Sequence, residues 1–306
     1  MTEPDATVPA PLFVPGPDPF LGSTSGLSRQ RLRGKRYLHL GRDVYAHDSS
    51  QVDLSLRLRA ALLALPGAVP CGRTAALLQQ LPVDDDGRLH LARGRRAPRS
   101  ERAGVAVHRT PVTVEEQLLC DDILIADGPR VFLDLAADLG FEDLVAVGDV
   151  VLRRYGRDAI DRALARARRR PGVPSARRAA ALLDGGAGSP AETRARLRLH
   201  AAGFPALRHG LVVRDAGGGW LAEPDLGDEV ARVAVQHDGL VHLVGGPERR
   251  RKDLQRDEVV RQADWQVVVA TALDDRRPEL LIAKVADAYR RSALLLSARR
   301  PSGRTA

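Results

Sequence analysis

The segment DGGAGSP, residues 184–190, does most to limit what this chain can fold into. Three glycines and a proline interrupt two helical patterns there, and the order of elements changes across it. After it, SPAETRARLRLHAAG has a helical period, whereas LRHGLVVRD, WLAEPDL and ARVAVQHDG alternate as strands do, with short turns between them. PERRRKDLQRDEVVRQAD then predicts a long charged helix, WQVVVAT a fourth strand and RPELLIAKVADAYRRSALLL a last helix. The second half is therefore expected to be α-β-β-β-α-β-α. Three meandering antiparallel strands and a fourth reached through a helix make a mixed sheet with helices on both faces.

Before the break the pattern is mostly helical. Residues 1–23 are rich in Pro, Gly and Ser without a hydrophobic period and predict a tail. From Ser25, SGLSRQRLRGKRYLHLGRDVYAHD predicts a short basic helix and a two-stranded hairpin turning at Gly41, the arrangement of a winged helix. Helices are expected over VDLSLRLRAALLALPG, CGRTAALLQQL, PRVFLDLAADLG, EDLVAVGDVVLRRYG, DAIDRALARARRR and PSARRAAALLD. Short strands are expected at RLHLAR, GVAVHRT and DILIAD. The expected division is a tail at 1–23, a winged-helix-like and helical domain at 24–185, a mixed-sheet domain at 186–298 and a tail at 299–306. A chain of 306 residues is long enough for each domain to bury its own core.

Composition narrows the function classes. A net charge of +8 points toward an anionic partner such as nucleic acid, although all the basic residues but Lys35, Lys252 and Lys284 are Arg, a skew that genome composition also produces. Aromatic residues make up only 4%, which argues against single-strand binding by base stacking. Cys71 and Cys120 stand alone, so neither a zinc site nor a disulfide framework is indicated. No apolar run approaches membrane-spanning length, and MTEPDATVPA lacks the basic and apolar regions of a signal peptide, so a cytoplasmic protein is expected. No nucleotide-binding glycine motif or nucleophile signature favours an enzyme of small-molecule chemistry.

The candidate chemistry lies in the second half. Gln236 and Asp238 are two apart on one strand and share a face, and Asp225 in EPDL closes the preceding strand. Glu192, on the helix that opens the domain, is a candidate fourth member. Oxygen donors grouped in this way hold a hard divalent cation, which lowers the pKa of an attacking water and offsets charge on a phosphoryl transition state. Each residue also has a plainer reading. Ser189-Pro190-Ala191-Glu192 matches a capping box, and Asp238-Gly239 a turn.

The order of elements, together with SPAETR, EPDL and VAVQHDGLVH, resembles the restriction-endonuclease-like PD-(D/E)XK superfamily, in the branch similar to the very-short-patch repair endonucleases. LGRDVYA, CGRTAALLQQL and VFLDLAADL resemble the winged-helix region of AbiEi-type antitoxin proteins of actinobacteria. The resemblance spans residues 25–295. It implies a metal-dependent endonuclease using Mg2+ or Mn2+, with Glu192, Asp225, Gln236 and Asp238 catalytic and the last three binding the metal. The chain departs from that pattern where Gln236 replaces an acid and Asp238 replaces a Lys. A Gln amide oxygen can still bind a metal, but it adds no charge. The alternative is a non-catalytic DNA-binding regulator or antitoxin-like protein that keeps the nuclease fold.

The candidates for phosphate contact are Arg31, Arg33 and Lys35 in the first basic run, Arg194, His242, and Arg250, Lys252 and Arg256 on the charged helix. If about six phosphates of duplex DNA are neutralised, a log-log plot of affinity against salt should fall with a slope of roughly -5. A titration of binding against sodium chloride checks this, and a flat line would remove the electrostatic reading.

Overall fold

The computed structural model describes residues 18–94, 103–167, 170–215, 217–238 and 260–298. The chain folds as two compact units, one of residues 1–80 and 84–127, the other of residues 81–83 and 128–306. The division thus falls after residue 127, and the glycine-rich segment 184–190 lies inside the second unit. There Asp149 accepts hydrogen bonds from the Asp184 N–H (2.7 Å), the Thr193 hydroxyl (2.8 Å) and Arg196 (3.2 Å), fastening both flanks of the segment to one buried carboxylate.

The first unit begins with β1 (Phe20–Leu21), α1 (Arg29–Leu32), β2 (Tyr37–Gly41) and β3 (Val44–His47), the three strands ordered β1-β3-β2 and all antiparallel. Ser28 caps α1 through its hydroxyl, as the sequence predicts. Asp43, at φ 60° in the turn between β2 and β3, forms the left-handed corner of the hairpin. Helix α2 (Leu54–Ala64), capped by Asp53, covers the sheet face that carries Val44 and Ala46. Next come β4 (Val69–Pro70), α3 (Gly72–Leu78), β5 (Leu89–Ala92) and β6 (Val105–His108). Strand β5 pairs antiparallel with β4 and parallel with β6. The hairpin of β7 (Gln117–Cys120) and β8 (Ile123–Ala126) includes a strand that sequence reading leaves out.

The second unit opens with α4 (Gly128–Leu135), α5 (Phe141–Tyr155), α6 (Arg157–Arg166) and α7 (Val173–Ala180), all four at their expected places. Buried Phe132, Leu144, Val147, Ile160 and Ala176 join them. Gly148 is required by their packing, because a Cβ there would stand 2.4 Å from Leu183 and 2.9 Å from Phe132. Helix α8 (Pro190–Ala201) follows, then β9 (Val213–Arg214), β10 (Trp220–Ala222), β11 (Leu226–Asp228), β12 (Val233–Asp238) and β13 (Gln266–Thr271), and finally α9 (Ala272–Arg276) and α10 (Pro278–Ala298).

The expected three-strand meander is split. Trp220–Ala222 pairs with Val213–Arg214 in a ladder of its own, while β11 pairs antiparallel with β12, and β12 pairs parallel with β13. WLAEPDL therefore holds β10 and only the first residue of β11. Pro224, which has no N–H to offer a ladder, lies between them. The mixed sheet itself is as expected, with helices and small mixed sheets giving an α/β protein. Leu226, Val233, Val235, Val268 and Ala270 share one core with Leu199 of α8 and with Leu281 and Val285 of α10. Ala234 joins a second core with Leu211, Val213, Ala222, Val260 and Trp265 on the other side of the sheet. Among the described residues no helix is long and apolar enough to cross a membrane.

Asp274 locks the end of β13 to both following helices. Its Oδ2 accepts from the Thr271 N–H (2.7 Å), the Thr271 hydroxyl (2.8 Å) and Lys284 Nζ (2.8 Å), while the residue is 2% exposed. Burial pushes this carboxyl up, but the bonds from Lys284 and Thr271 outweigh it and hold it below 3.8, its ordinary value. A depressed carboxyl stabilises the fold above its unfolded pKa, and that contribution is lost as pH falls through the folded value. Lys284→Met should therefore lower stability in urea melts at pH 7 by about 1–3 kcal/mol, with the difference shrinking near pH 3. An equal difference at both pH values would show that the pair does not act through charge.

Candidate functional site

The site is set by the register of β11 against β12. The pairs Leu226 with Val235, Gly227 with Ala234 and Asp228 with Val233 put Asp225 one step beyond, across from Gln236. Alternation then assigns faces. Leu226, Val233 and Val235 point into the core beneath α8 and α10, so Asp225 and Gln236 follow Ala234 onto the opposite face. Asp225 is partly buried, and its Oδ2 accepts a 2.6 Å hydrogen bond from the His237 backbone N–H. That bond fixes one carboxylate oxygen at the point where β12 leaves its partner. Asp238 ends β12 with its backbone opposite Thr271 of β13, and its side chain lies outside the described residues.

The donor chemistry of Asp225 and Gln236 fits a hard divalent cation, since both offer oxygen. Asp225 is the charged member of this cross-strand pair, so its affinity rests on one carboxylate and whatever Asp238 adds. Among the described residues, no group of three or more His, Cys, Asp or Glu side chains is arranged to hold a metal ion.

Glu192 is not brought to this pair. Its Oε2 accepts from the Gly188 N–H (2.7 Å) and its Oε1 from the Ser189 hydroxyl (2.8 Å), while Ser189 Oγ accepts from the Glu192 N–H (3.3 Å). Ser189 thus caps α8 as expected, while Glu192 takes the Gly188 N–H in place of the Ser189 N–H of a full capping box. Helix α8 also packs through Ala195 and Leu199 on the sheet face away from Asp225 and Gln236. Arg194 pairs with Asp143 of α5 at 3.3 Å, so its charge is directed to a helix contact. Arg31, Arg33 and Lys35 are exposed in and just after α1, with no ion pair among the described residues. His242, Arg250, Lys252 and Arg256 lie outside the described residues.

Two constellations escape sequence reading. His237 points to the helix-bearing face, only 10% exposed, with Nε2 3.3 Å from Asp275 Oδ2. The contact lacks the alignment of a hydrogen bond. In the first unit, His90 Nε2 lies 2.9 Å from Asp86 Oδ2 and His90 Nδ1 lies 2.9 Å from His108 Nε2. Burial pushes the Asp86 carboxyl up, yet the bonds from His90 and the Arg88 N–H leave it below its ordinary value. A carboxylate accepts only, so the bond to Asp86 is donated from His90 Nε2. The alternation of RLHLAR and GVAVHRT marks both histidines as strand residues, but the parallel β5–β6 register that joins them is not written there.

Because Glu192 serves the helix start, Glu192→Ala should lower stability by about 0.5–2 kcal/mol and leave manganese binding unchanged. Denaturant melts and isothermal titration with manganese read the two effects separately, and lost metal binding would return Glu192 to the site. No family model matches this chain, and no curated protein matches its sequence.

Proposed function

We propose that this protein binds nucleic acid and that residues 186–298 form a restriction-endonuclease-like domain of the PD-(D/E)XK type. In this reading the domain is close to the very-short-patch repair branch and acts as a metal-dependent phosphodiesterase weakened at Gln236. The observation that carries the reading is the cross-strand pair of Asp225 and Gln236, at the edge of a mixed sheet whose next strand runs parallel to β12. The order of helix, antiparallel strands, parallel strand and closing helix supports the same class. The exposed basic run beside the winged-helix-like hairpin supports a nucleic-acid partner, with duplex DNA as the first candidate.

Asp225 and Gln236, joined by Asp238, would hold the Mg2+ or Mn2+ ion. Such an ion lowers the pKa of a bound water and offsets charge on the phosphoryl oxygens. The His237 N–H fixes the Asp225 carboxylate before any ion arrives, a form of preorganisation. Gln236 contributes an oxygen that needs no deprotonation but leaves more of the metal's positive charge uncompensated than an acid would.

Gln236 also favours a second reading, a DNA-binding regulator that retains the fold without cutting. Labelled duplex, mismatched and single-stranded DNA incubated with the protein and magnesium or manganese separates the two. Slow metal-dependent cutting is expected, abolished in Asp225→Ala and raised roughly tenfold or more in Gln236→Glu, because an added carboxylate tightens the site. Binding without cutting in every variant would leave the regulator.

A further inference from the structure

The sheet of the first unit gathers aromatic rings that the composition makes scarce. Tyr37 and His39 on β2 lie in register with His47 and Tyr45 on β3, and Phe20 on β1 lies opposite Tyr45. All five residues therefore share the face turned away from Val44 and Ala46 and from α2. Their rings touch in sequence: His39 to Tyr45 at 5.2 Å, Tyr45 to Phe20 at 6.2 Å, Phe20 to Tyr37 at 5.8 Å and Tyr37 to His47 at 6.1 Å. Phe20 is buried at the centre of this row, His39 is exposed, and Tyr37, Tyr45 and His47 are partly exposed. Two of the four tyrosines of the chain stand on one small sheet.

Helix α1 is fastened beside these rings. A Cβ on Gly22 would stand 2.8 Å from the Tyr45 ring and 3.0 Å from Leu32, so Gly22 lets buried Leu32 of α1 close against Tyr45. The segment from α1 to the hairpin turn carries Arg29, Arg31, Arg33, Lys35, Arg36 and Arg42, every one exposed and without an ion pair among the described residues. Of the neighbouring acids, Asp43 accepts from the Ser23 hydroxyl and N–H, while exposed Asp48 lies 3.0 Å from His47 Nδ1 at the end of the row.

We propose that this face binds single-stranded nucleic acid, with bases stacking on Tyr37, His39 and His47 and the six basic residues holding the phosphates. Duplex DNA would use the charge but not the rings, because its bases are already stacked on one another. A single strand uses both. The inference rests on the nucleic-acid reading above for the class of partner, but not on cleavage.

The test is fluorescence anisotropy of the full chain in EDTA, so that cutting plays no part. The probes are a labelled mixed-sequence DNA strand, the matching RNA strand and the same sequence as duplex. Single strand is expected to bind more tightly than duplex. His39→Ala and Tyr37→Ala should each weaken single-strand binding by about 5- to 150-fold with the salt slope unchanged, while Tyr37→Phe stays near the parent. Arg31→Ala with Arg33→Ala should instead flatten the slope by roughly 0.7 for each phosphate that is no longer neutralised. Exposed His39 keeps the test valid even if Tyr37→Ala disturbs the packing of Phe20. A preference for duplex, or unchanged binding in folded His39→Ala and Tyr37→Ala, overturns this inference and leaves the nuclease-site reading untouched. No binding to any probe overturns both.

Discussion

Strand β12 is buried on both faces as far as Val235, and the second unit is organised around that fact. Val233 and Val235 need the cover of α8 and α10, and Ala234 needs the cover of the β9–β10 ladder and Trp265. A strand covered on both sides suits a parallel neighbour, which β13 supplies over the whole length from Val233 to Asp238. The apolar run ends at Gln236, so the polar end of β12 is positioned by a packed segment.

Three buried carboxylates of this unit share a pattern. Asp149, Asp228 and Asp274 are each at most 6% exposed, and each accepts a hydrogen bond from at least one donor on another element. Asp228 accepts from the Val230 and Ala231 N–H groups and from the Tyr289 hydroxyl, which ties β11 to α10. Burial and the Asp228 carboxylate push the Tyr289 phenol up, so it remains a donor. These carboxylates act as clamps between elements, because an unpaired buried charge would cost several kcal/mol. Glu192 belongs with them as a local clamp at the start of α8.

Helices were largely legible because their period, caps and closing glycines are local. Ser28, Asp53 and Ser189 each accept the cap bond that their position implies. Strand pairing was less so. LRHGLVVRD alternates throughout, yet only Val213–Arg214 forms a ladder strand, with Arg208 bridging to Gly227 instead. A Cβ at Gly227 would stand 2.2 Å from Leu211, so this crossing depends on a glycine that carries no periodic signal. Of the candidate site, the shared strand of Gln236 and Asp238 was legible from spacing, whereas Asp225, expected to close the preceding strand, stands just before β11, and the carboxylate bonds of Glu192 show its part in the helix start.

The same contrast holds in the first unit, where the scarcity of aromatic residues is a property of the whole chain and their grouping is a property of one sheet. Phe20, Tyr37 and Tyr45 are far enough apart in sequence that composition spreads them thin, and the β1-β3-β2 order gathers them again. By itself the sequence determined most of the described helices, the apolar strand β12, the polar residues at its end and the basic run before the hairpin, since each depends on neighbours within a few residues, while the expected charged helix at 247–264 lies mostly outside the described residues. Tertiary structure alone decided which strands pair, which face each polar residue meets and which charges are already paired, since those outcomes depend on contacts between segments whose spacing carries no local signal.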